Sequence, residues 1–189
     1  MATATRKTAA RKAPARMARA SGAPVVHEAN APLRAGHKRV NALFEQYEKS
    51  RSTAKKKRIV TDICRELSVH AKAEREIFYP AVKAALKDKE MVPEATVEHA
   101  TLKELMAQVE GKDPDGEMFD AKIKVLCEYV RHHVKEEETE MFPKARKTKL
   151  DMQALGAQIA ARKEEPRAAW VPDTQRPSML AKLTEGVAG

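Results

Sequence analysis

Residues 63–80 read ICRELSVHAKAEREIFYP, and residues 126–143 read LCEYVRHHVKEEETEMFP. The two stretches repeat each other at an offset of 63 residues: each has a Cys, a His, a Glu four residues after that His, and a final Pro. A period this long that occurs only twice indicates a duplicated helical hairpin rather than a solenoid of many short repeats.

The segments upstream of these stretches also repeat. Residues 37–48 read HKRVNALFEQYE, and residues 99–110 read HATLKELMAQVE, at an offset of 62. Each half of the chain therefore carries a lone His, followed about 33 residues later by a His and a Glu spaced i, i+4. The full set is His37, His70, Glu74, His99, His133 and Glu137.

Apolar side chains recur every three or four residues in four segments, which is the period of an amphipathic helix. The first segment has this stripe at Leu33, Val40, Phe44 and Tyr47, and the turn sequence at 111–116 separates the last two segments. Four such helices with short links predict an all-α protein, an antiparallel four-helix bundle built from a duplicated helical hairpin.

Composition predicts the domain boundaries. Residues 1–26 carry six basic and no acidic residues and lack apolar periodicity, so we expect a disordered basic N-terminal arm over 1–30. The bundle is predicted over 31–148, and a short helix followed by an irregular C-terminal tail over 149–189. The formal net charge of +9 lies mostly at the two ends, and residues 27–142 are close to neutral.

The lengths of the apolar runs and the positions of the two cysteines give two further expectations. No apolar run approaches the roughly 18 residues that a membrane-spanning helix needs, so we expect a soluble protein that does not enter membranes. A cytoplasmic location is the default expectation, since the sequence does not fix the compartment. Two cysteines at matching repeat positions, Cys64 and Cys127, are expected to be reduced thiols that pack in the core. The oligomeric state is not predicted.

Six polar residues on apolar stripes need compensation. An unpaired buried polar group costs about 1 to 3 kcal/mol, and a marginally stable domain does not absorb that cost six times. Pairing of each His with the Glu at i+4 is one solution, but it leaves His37 and His99 without a partner. Metal ions satisfy all six, since imidazole and carboxylate suit iron, manganese or zinc. Two ions bridged by Glu74 and Glu137 fit the repeat better than one.

The two stretches HAKAEREIFYP and HVKEEETEMFP, each preceded by a helix with a lone His, resemble the hemerythrin HHE cation-binding domain. The resemblance covers about residues 33–148. It implies a four-helix bundle that holds two non-haem iron ions. The implied imidazole ligands are His37, His70, His99 and His133, and the implied bridging carboxylates are Glu74 and Glu137.

The chain departs from the family pattern at two positions. Gly36 stands where the family commonly has Asp before the first lone His, which predicts weaker support for His37. Lys103 stands where oxygen-carrying hemerythrins have an additional His, so one iron is expected to lack a nitrogen ligand and to keep an open position. Among nearby residues, Glu138 is expected on an exposed acidic face, with the alternative that it replaces Glu137 if the helix turns slightly. His132 is expected off the stripe.

These features predict a protein that binds or senses O2, peroxide or nitric oxide, or that handles iron, at a His/Glu centre. A binding protein is favoured over a dedicated enzyme because no second catalytic motif is found in the sequence. One alternative is oxidant chemistry at the same centre, either peroxide decomposition or ferrous oxidation. Another is association with DNA or a different polyanion through the basic arm, with weak sequence preference.

Overall fold

A computed structural model describes residues 30–164 of the chain, and these residues form helices joined by short turns. The helices are α1 (Asn30–Lys49), α2 (Thr53–Ala73), α3 (Tyr79–Leu86), α4 (Met91–Ala107), α5 (Glu117–Glu136), α6 (Phe142–Arg146) and α7 (Met152–Glu164). Two short π-helical segments, π1 (Glu74–Phe78) and π2 (Glu137–Met141), join α2 to α3 and α5 to α6. The predicted arm, apart from Asn30, and the tail beyond Glu164 lie outside the described residues.

The four long helices α1, α2, α4 and α5 form the bundle, so the predicted fold class is confirmed. Local signals explain the helix starts. Ser52 caps α2 by accepting from the backbone N–H of Lys55. The side chain of Asp88 accepts from the backbone N–H groups of Met91 and Val92, so α4 begins two residues before Pro93. Gly111 and Gly116, both at positive φ, form the turn between α4 and α5.

The π segments are the main local feature that helical periodicity does not predict. The backbone N–H of Tyr79 donates to the carbonyl of Glu74, and the N–H of Phe142 donates to the carbonyl of Glu137, so each bond spans five residues. A proline follows directly in both repeats, and proline lacks an N–H and crowds the preceding turn. A π turn relieves this crowding without ending the helix. It begins at each repeated Glu and therefore helps to set the direction of both carboxylates.

The core divides into two clusters of buried apolar residues. One cluster lies between α1, α2, α4 and α5 and includes Phe44, Ile63 and Leu126. The other lies around the π segments and the short helices that follow them, and it includes Phe78, Phe142 and Ile159. The predicted stripe histidines and glutamates lie on the same helices between these apolar residues. Five of the six are among the few buried polar groups of the described residues, and His99 is partly buried.

Helix α7 lies outside the four-helix bundle and packs against α1, α2 and π1. It therefore covers the end of the first repeat, close to the seam residues of that repeat. Within the described part of the chain, no helix is both long enough and apolar enough to cross a bilayer.

Candidate metal centre

The bundle brings all six predicted seam residues together in its interior. His37 is on α1 and His99 is on α4, whereas His70 and His133 lie in the last turns of α2 and α5. Glu74 and Glu137 begin the two π segments. Glu74 is 0% exposed and Glu137 is 1% exposed, so two carboxylates share the centre of the protein.

One group of side chains forms a first candidate metal position. His70 Nε2 lies 2.7 Å from Glu74 Oε1, and His37 Nε2 lies 4.0 Å from the same oxygen. Glu137 Oε2 lies 3.3 Å from His37 Nε2. His37, His70, Glu74 and Glu137 thus each offer one ligand atom within 4.8 Å of the others, all of them buried.

A second group, formed by Glu74, His99 and His133, is a second candidate metal position beside the first. His99 Nε2 and His133 Nε2 are 3.0 Å apart, and Glu74 Oε2 lies 3.5 Å from His99 Nε2. Glu137 Oε1 lies 3.8 Å from His133 Nε2. Each glutamate therefore directs one oxygen to the first position and the other oxygen to the second, which is the arrangement of a bridging carboxylate.

The donor atoms of this centre fit metal ions better than they fit one another. Both oxygens of Glu74, Glu137 Oε2, His37 Nε2 and His70 Nε2 have no hydrogen-bond partner among the described residues. His70 Nε2 and Glu74 Oε1 still lie only 2.7 Å apart, as a His and a Glu at i, i+4 on one helix can. Buried acceptors of this kind are costly unless a further group compensates them, and imidazole with carboxylate suits first-row transition metals.

Two of the histidines are supported by carboxylates at their outer nitrogens. His37 Nδ1 lies 2.9 Å from Glu138 Oε1, and His133 Nδ1 lies 2.7 Å from Glu98 Oε2. Burial acts to lower the pKa of His133, but the hydrogen bond to Glu98 and the field of Glu137 outweigh it and raise that pKa to about 9. Such partners orient a metal-bound imidazole and hold its Nδ1 proton.

The expectation that Gly36 weakens the support of His37 is therefore wrong, because Glu138 supplies a carboxylate at its outer nitrogen. The interpretation of Glu138 as part of an exposed acidic face is wrong for the same reason. Its side chain is 28% exposed and is also paired with Arg34. Glu138 is the second residue of π2 and reaches His37 on α1 from there, a contact that the stripe pattern did not predict.

The other two histidines have strongly lowered pKa values. Burial, followed by the fields of His37 and Lys163, lowers the pKa of His70 well below its usual value. Burial and the nearby His133 lower the pKa of His99 to about 3. Both imidazoles are therefore neutral at physiological pH, and a neutral ring is the form that binds metal.

Tyr79 is a site residue that the sequence reasoning missed. Its hydroxyl donates to Glu137 Oε1 at 2.9 Å and lies 3.2 Å from His99 Nε2 and 3.5 Å from His133 Nε2. The sequence does contain a difference that points to Tyr79: the matching position of the second stretch is Phe142, which lacks the hydroxyl. Burial and the two glutamates raise the pKa of Tyr79 well above its usual value, so the phenol keeps its proton.

An apolar cavity of about 40 Å³ adjoins all four histidines. Its remaining wall is mostly aliphatic and is formed by Val40, Leu67, Leu102, Met106, Val130 and Val134. Room for a water molecule needs about 10 to 15 Å³ measured in this way, so the cavity suits a molecule of two or three atoms. The centre therefore has a small chamber on one side.

Other candidate residues lie away from the centre. The side chain of His132 is 64% exposed and forms a surface group with Glu98 and Glu136. Tyr129 is 48% exposed and does not enter the centre. Cys64 and Cys127 are buried free thiols, and burial raises the pKa of Cys64 to about 12.

Comparisons with known proteins agree with this architecture. Residues 29–145 match the family model of the hemerythrin HHE cation-binding domain. A hemerythrin HHE cation-binding domain-containing protein from Mycobacterium kansasii has a similar fold, with a TM-score of 0.64 and 22% identity over 75% of this chain and 88% of that one. A DNA nickase from Nostoc sp. is 29% identical over 110 residues, or 58% of this chain.

The aligned region covers only 31% of the Nostoc protein, so the chain spans less than a third of that relative. The family match is broader, because it includes every helix from α1 to α5 and both π segments. With its His/Glu clusters in the core of a helical bundle, the chain belongs to the hemerythrin HHE cation-binding family.

Proposed function

We propose that the chain holds two non-haem iron ions and uses them to bind or sense a small oxidant: O2, peroxide or nitric oxide. His37 and His70 would hold one ion, His99 and His133 the other, and Glu74 and Glu137 would bridge them. Bound iron would supply reversible redox chemistry and an affinity for these ligands. Imidazole and carboxylate donors also suit manganese or zinc.

The observation that supports this proposal most strongly is the geometry of the two glutamates. Each is fully buried, and each directs its two oxygens to different pairs of histidines. Several of these buried atoms make no hydrogen bond of regular geometry among the described residues, which favours a bound metal over His–Glu pairs that only stabilise the fold. Handling of iron without a gaseous ligand uses the same donors.

The cavity beside the histidines supports a small ligand. Its aliphatic wall offers little to a polar organic substrate, and its volume admits a molecule of two or three atoms. Lys103, on α4 one turn after His99, offers no ring nitrogen to the second position. The Tyr79 hydroxyl lies on that side of the centre instead, within 3.5 Å of His99 Nε2 and His133 Nε2, and it donates its proton to Glu137.

The first experiment is to express the protein with iron and measure its metal content and near-ultraviolet absorption. We expect two iron ions per chain and an absorption change on addition of O2, peroxide or nitric oxide. The matched variant is His70→Ala with His133→Ala, and His132→Ala is the control because that side chain is exposed. Equal, negligible iron in all three proteins would refute the proposal.

Oxidant chemistry at the same centre is a second candidate, and the Tyr79 hydroxyl favours it. Turnover of peroxide or ferrous ions needs a group that moves protons beside the metal ions, and this phenol lies within 3.5 Å of two histidines and a glutamate. Many turnovers of peroxide per iron pair would show catalysis. Stoichiometric consumption alone would leave binding or sensing as the function.

Association with DNA is a third candidate. The similar Nostoc protein is named a DNA nickase, and residues 1–26 of this chain carry six basic and no acidic residues. Incubation of supercoiled plasmid with the iron-loaded protein tests strand cleavage, and the variant with both histidines replaced tests its dependence on the metal centre. Removal of residues 1–26 separately tests DNA retention at low salt, because phosphate contacts weaken steeply as salt rises.

A further inference from the structure

Lys163 reaches the candidate metal centre from outside the bundle. It lies near the end of α7, and its ammonium donates to His70 Nδ1 at 3.1 Å and to the backbone carbonyl of Pro32 at 3.0 Å. Helix α7 packs against α1, α2 and π1, so this contact is part of a packed interface. A cation therefore lies directly behind one predicted metal ligand.

Gly36 provides the space for this contact. A Cβ atom at that position would lie 2.4 Å from His70 Nδ1 and 2.6 Å from Lys163 Nζ, and both distances are shorter than real Cβ contacts. Any side chain at residue 36 would therefore displace the imidazole or the ammonium. The contact between Lys163 and His70 therefore requires that residue 36 has no side chain.

The second repeat has the opposite charge at the matching place. Residue 98 corresponds to residue 36 at the offset of 62, and Glu98 Oε2 lies 2.7 Å from His133 Nδ1. His70 and His133 are themselves matching residues. One ring thus has a carboxylate acceptor at its outer nitrogen, and the other has an ammonium donor.

This difference matters for metal binding, because an imidazole that binds metal through Nε2 keeps its proton on Nδ1. A carboxylate accepts that proton in a hydrogen bond and strengthens the ligand. An ammonium has three donors and no acceptor, so it favours the form of the ring with a lone pair at Nδ1 and the proton at Nε2. It also repels a cation bound at Nε2. His37, the other imidazole of the first position, has the Glu138 carboxylate at its outer nitrogen, so only His70 is weakened as a ligand.

We propose that Lys163 is a positioning residue that weakens metal binding at the first position, formed by His37 and His70, and makes the ion held there the exchangeable one. This inference rests on the proposed function, since it assigns different roles to the two metal positions. It also gives α7 a part in the metal centre.

The test uses proteins that retain one position each. His133→Ala damages the second position and leaves the first, and His70→Ala does the reverse. Lys163→Met is added to each, because Met keeps most of the side-chain length and its packing but cannot donate. Metal-free proteins are titrated calorimetrically with Co2+, an air-stable probe with the same ligand preferences as ferrous iron.

In the His133→Ala background, Lys163→Met is expected to strengthen Co2+ binding by about tenfold, the lower end of the effect of such outer partners. In the His70→Ala background it is expected to change the affinity by less than about twofold, since the ring that it contacts is gone. Arg162→Met is the matched control. It removes a neighbouring charge on α7, and that charge pairs with Glu76 on π1.

Unchanged or weakened Co2+ binding on Lys163→Met in the His133→Ala background would overturn the inference. An equal gain from Arg162→Met would also overturn it, because a general charge effect would then suffice. Full-length protein with all six ligands is titrated in parallel, and Lys163→Met should strengthen only its weaker step. Failure of that protein to bind any Co2+ would instead refute the proposed function.

Discussion

The two halves of the bundle share a sequence pattern but differ in what surrounds it. Both halves place a lone His, a second His and a π-helical Glu at the centre. The first half adds the hydroxyl of Tyr79, where the second has Phe142 stacked 6.0 Å from the His37 ring. The first half has Gly36 with Lys163, where the second has Glu98. The repeated pattern thus supplies matching donors to both halves, and the residues around them make the two candidate metal positions unequal.

The largest expected effect comes from removing one histidine from each half. His70→Ala together with His133→Ala should reduce bound metal from two ions per chain to background, because each position loses one of its two imidazoles. Thermal unfolding with and without added metal measures the loss, since a bound ion stabilises the folded state. If added metal still raises the Tm of the double variant, the two histidine pairs are not the metal ligands. His132→Ala should behave as the unmodified protein does.

The second prediction concerns pH and Glu98, which is present in one half only. The pKa of His133 is about 9 in the folded protein and near 6.5 when unfolded. Its stabilisation is therefore complete below pH 6.5 and disappears as pH rises through about 9, a change of up to roughly 3 kcal/mol. Urea unfolding of the metal-free protein across this range measures it.

Glu98→Gln should flatten that pH dependence, because a neutral amide does not hold the imidazolium. His37, whose pKa is also raised, leaves a smaller slope in the variant. Metal affinity should show the opposite trend and increase across the same pH range, since the ligand must lose a proton. If the variant and the unmodified protein keep the same slope, Glu98 is not the group responsible.

The third prediction makes the halves alike at the tyrosine. Tyr79→Phe removes the donor to Glu137 and leaves a buried carboxylate oxygen with one partner fewer, which costs about 1 to 3 kcal/mol of unfolding free energy. Phenylalanine is tolerated at the matching position 142, so the ring itself should pack. Tyr129→Phe, at an exposed site, should cost nothing measurable. A similar loss from both changes would mean that the hydroxyl contact is unimportant.

The smallest effect is expected at Glu138. Its side chain and that of Arg34 are 28% and 35% exposed, so their ion pair is partly screened. Glu138→Gln keeps an oxygen that accepts from His37 Nδ1, and the unfolding free energy should change by no more than about 1 kcal/mol. Chemical denaturation of the metal-free protein measures this. Severe destabilisation would show that the carboxylate charge, rather than the hydrogen bond, holds His37.

The fold and the six seam residues were predictable because both depend on local period and on burial. Apolar residues at intervals of three and four define the helix faces, and His70 and Glu74 stand on those faces where Leu or Ile is expected. A polar residue on an apolar stripe is visible without coordinates. The same His and Glu spacing occurs again at His133 and Glu137, and two occurrences are stronger evidence for a buried polar site than one.

The outer partners were not predictable in the same way. Glu138 is adjacent to a seam residue on the predicted surface, and it reaches His37 from the second residue of π2. Lys163 lies 93 residues from His70 in the chain, on a helix with weak amphipathic character. Tyr79 differs from its repeat partner by one hydroxyl group. None of these contacts follows from helical periodicity, because each depends on how separate helices are placed in space.

By itself, the sequence determined the class of the protein: a duplicated helical hairpin, an apolar seam interrupted by six polar residues, and donors suited to a transition metal. It did so because burial and periodicity are properties of consecutive residues. Only the tertiary structure decided that each glutamate faces two pairs of histidines, that Tyr79 serves one metal position, and that His70 faces Lys163 while His133 faces Glu98. These are contacts between distant parts of the chain, and packing alone selects them.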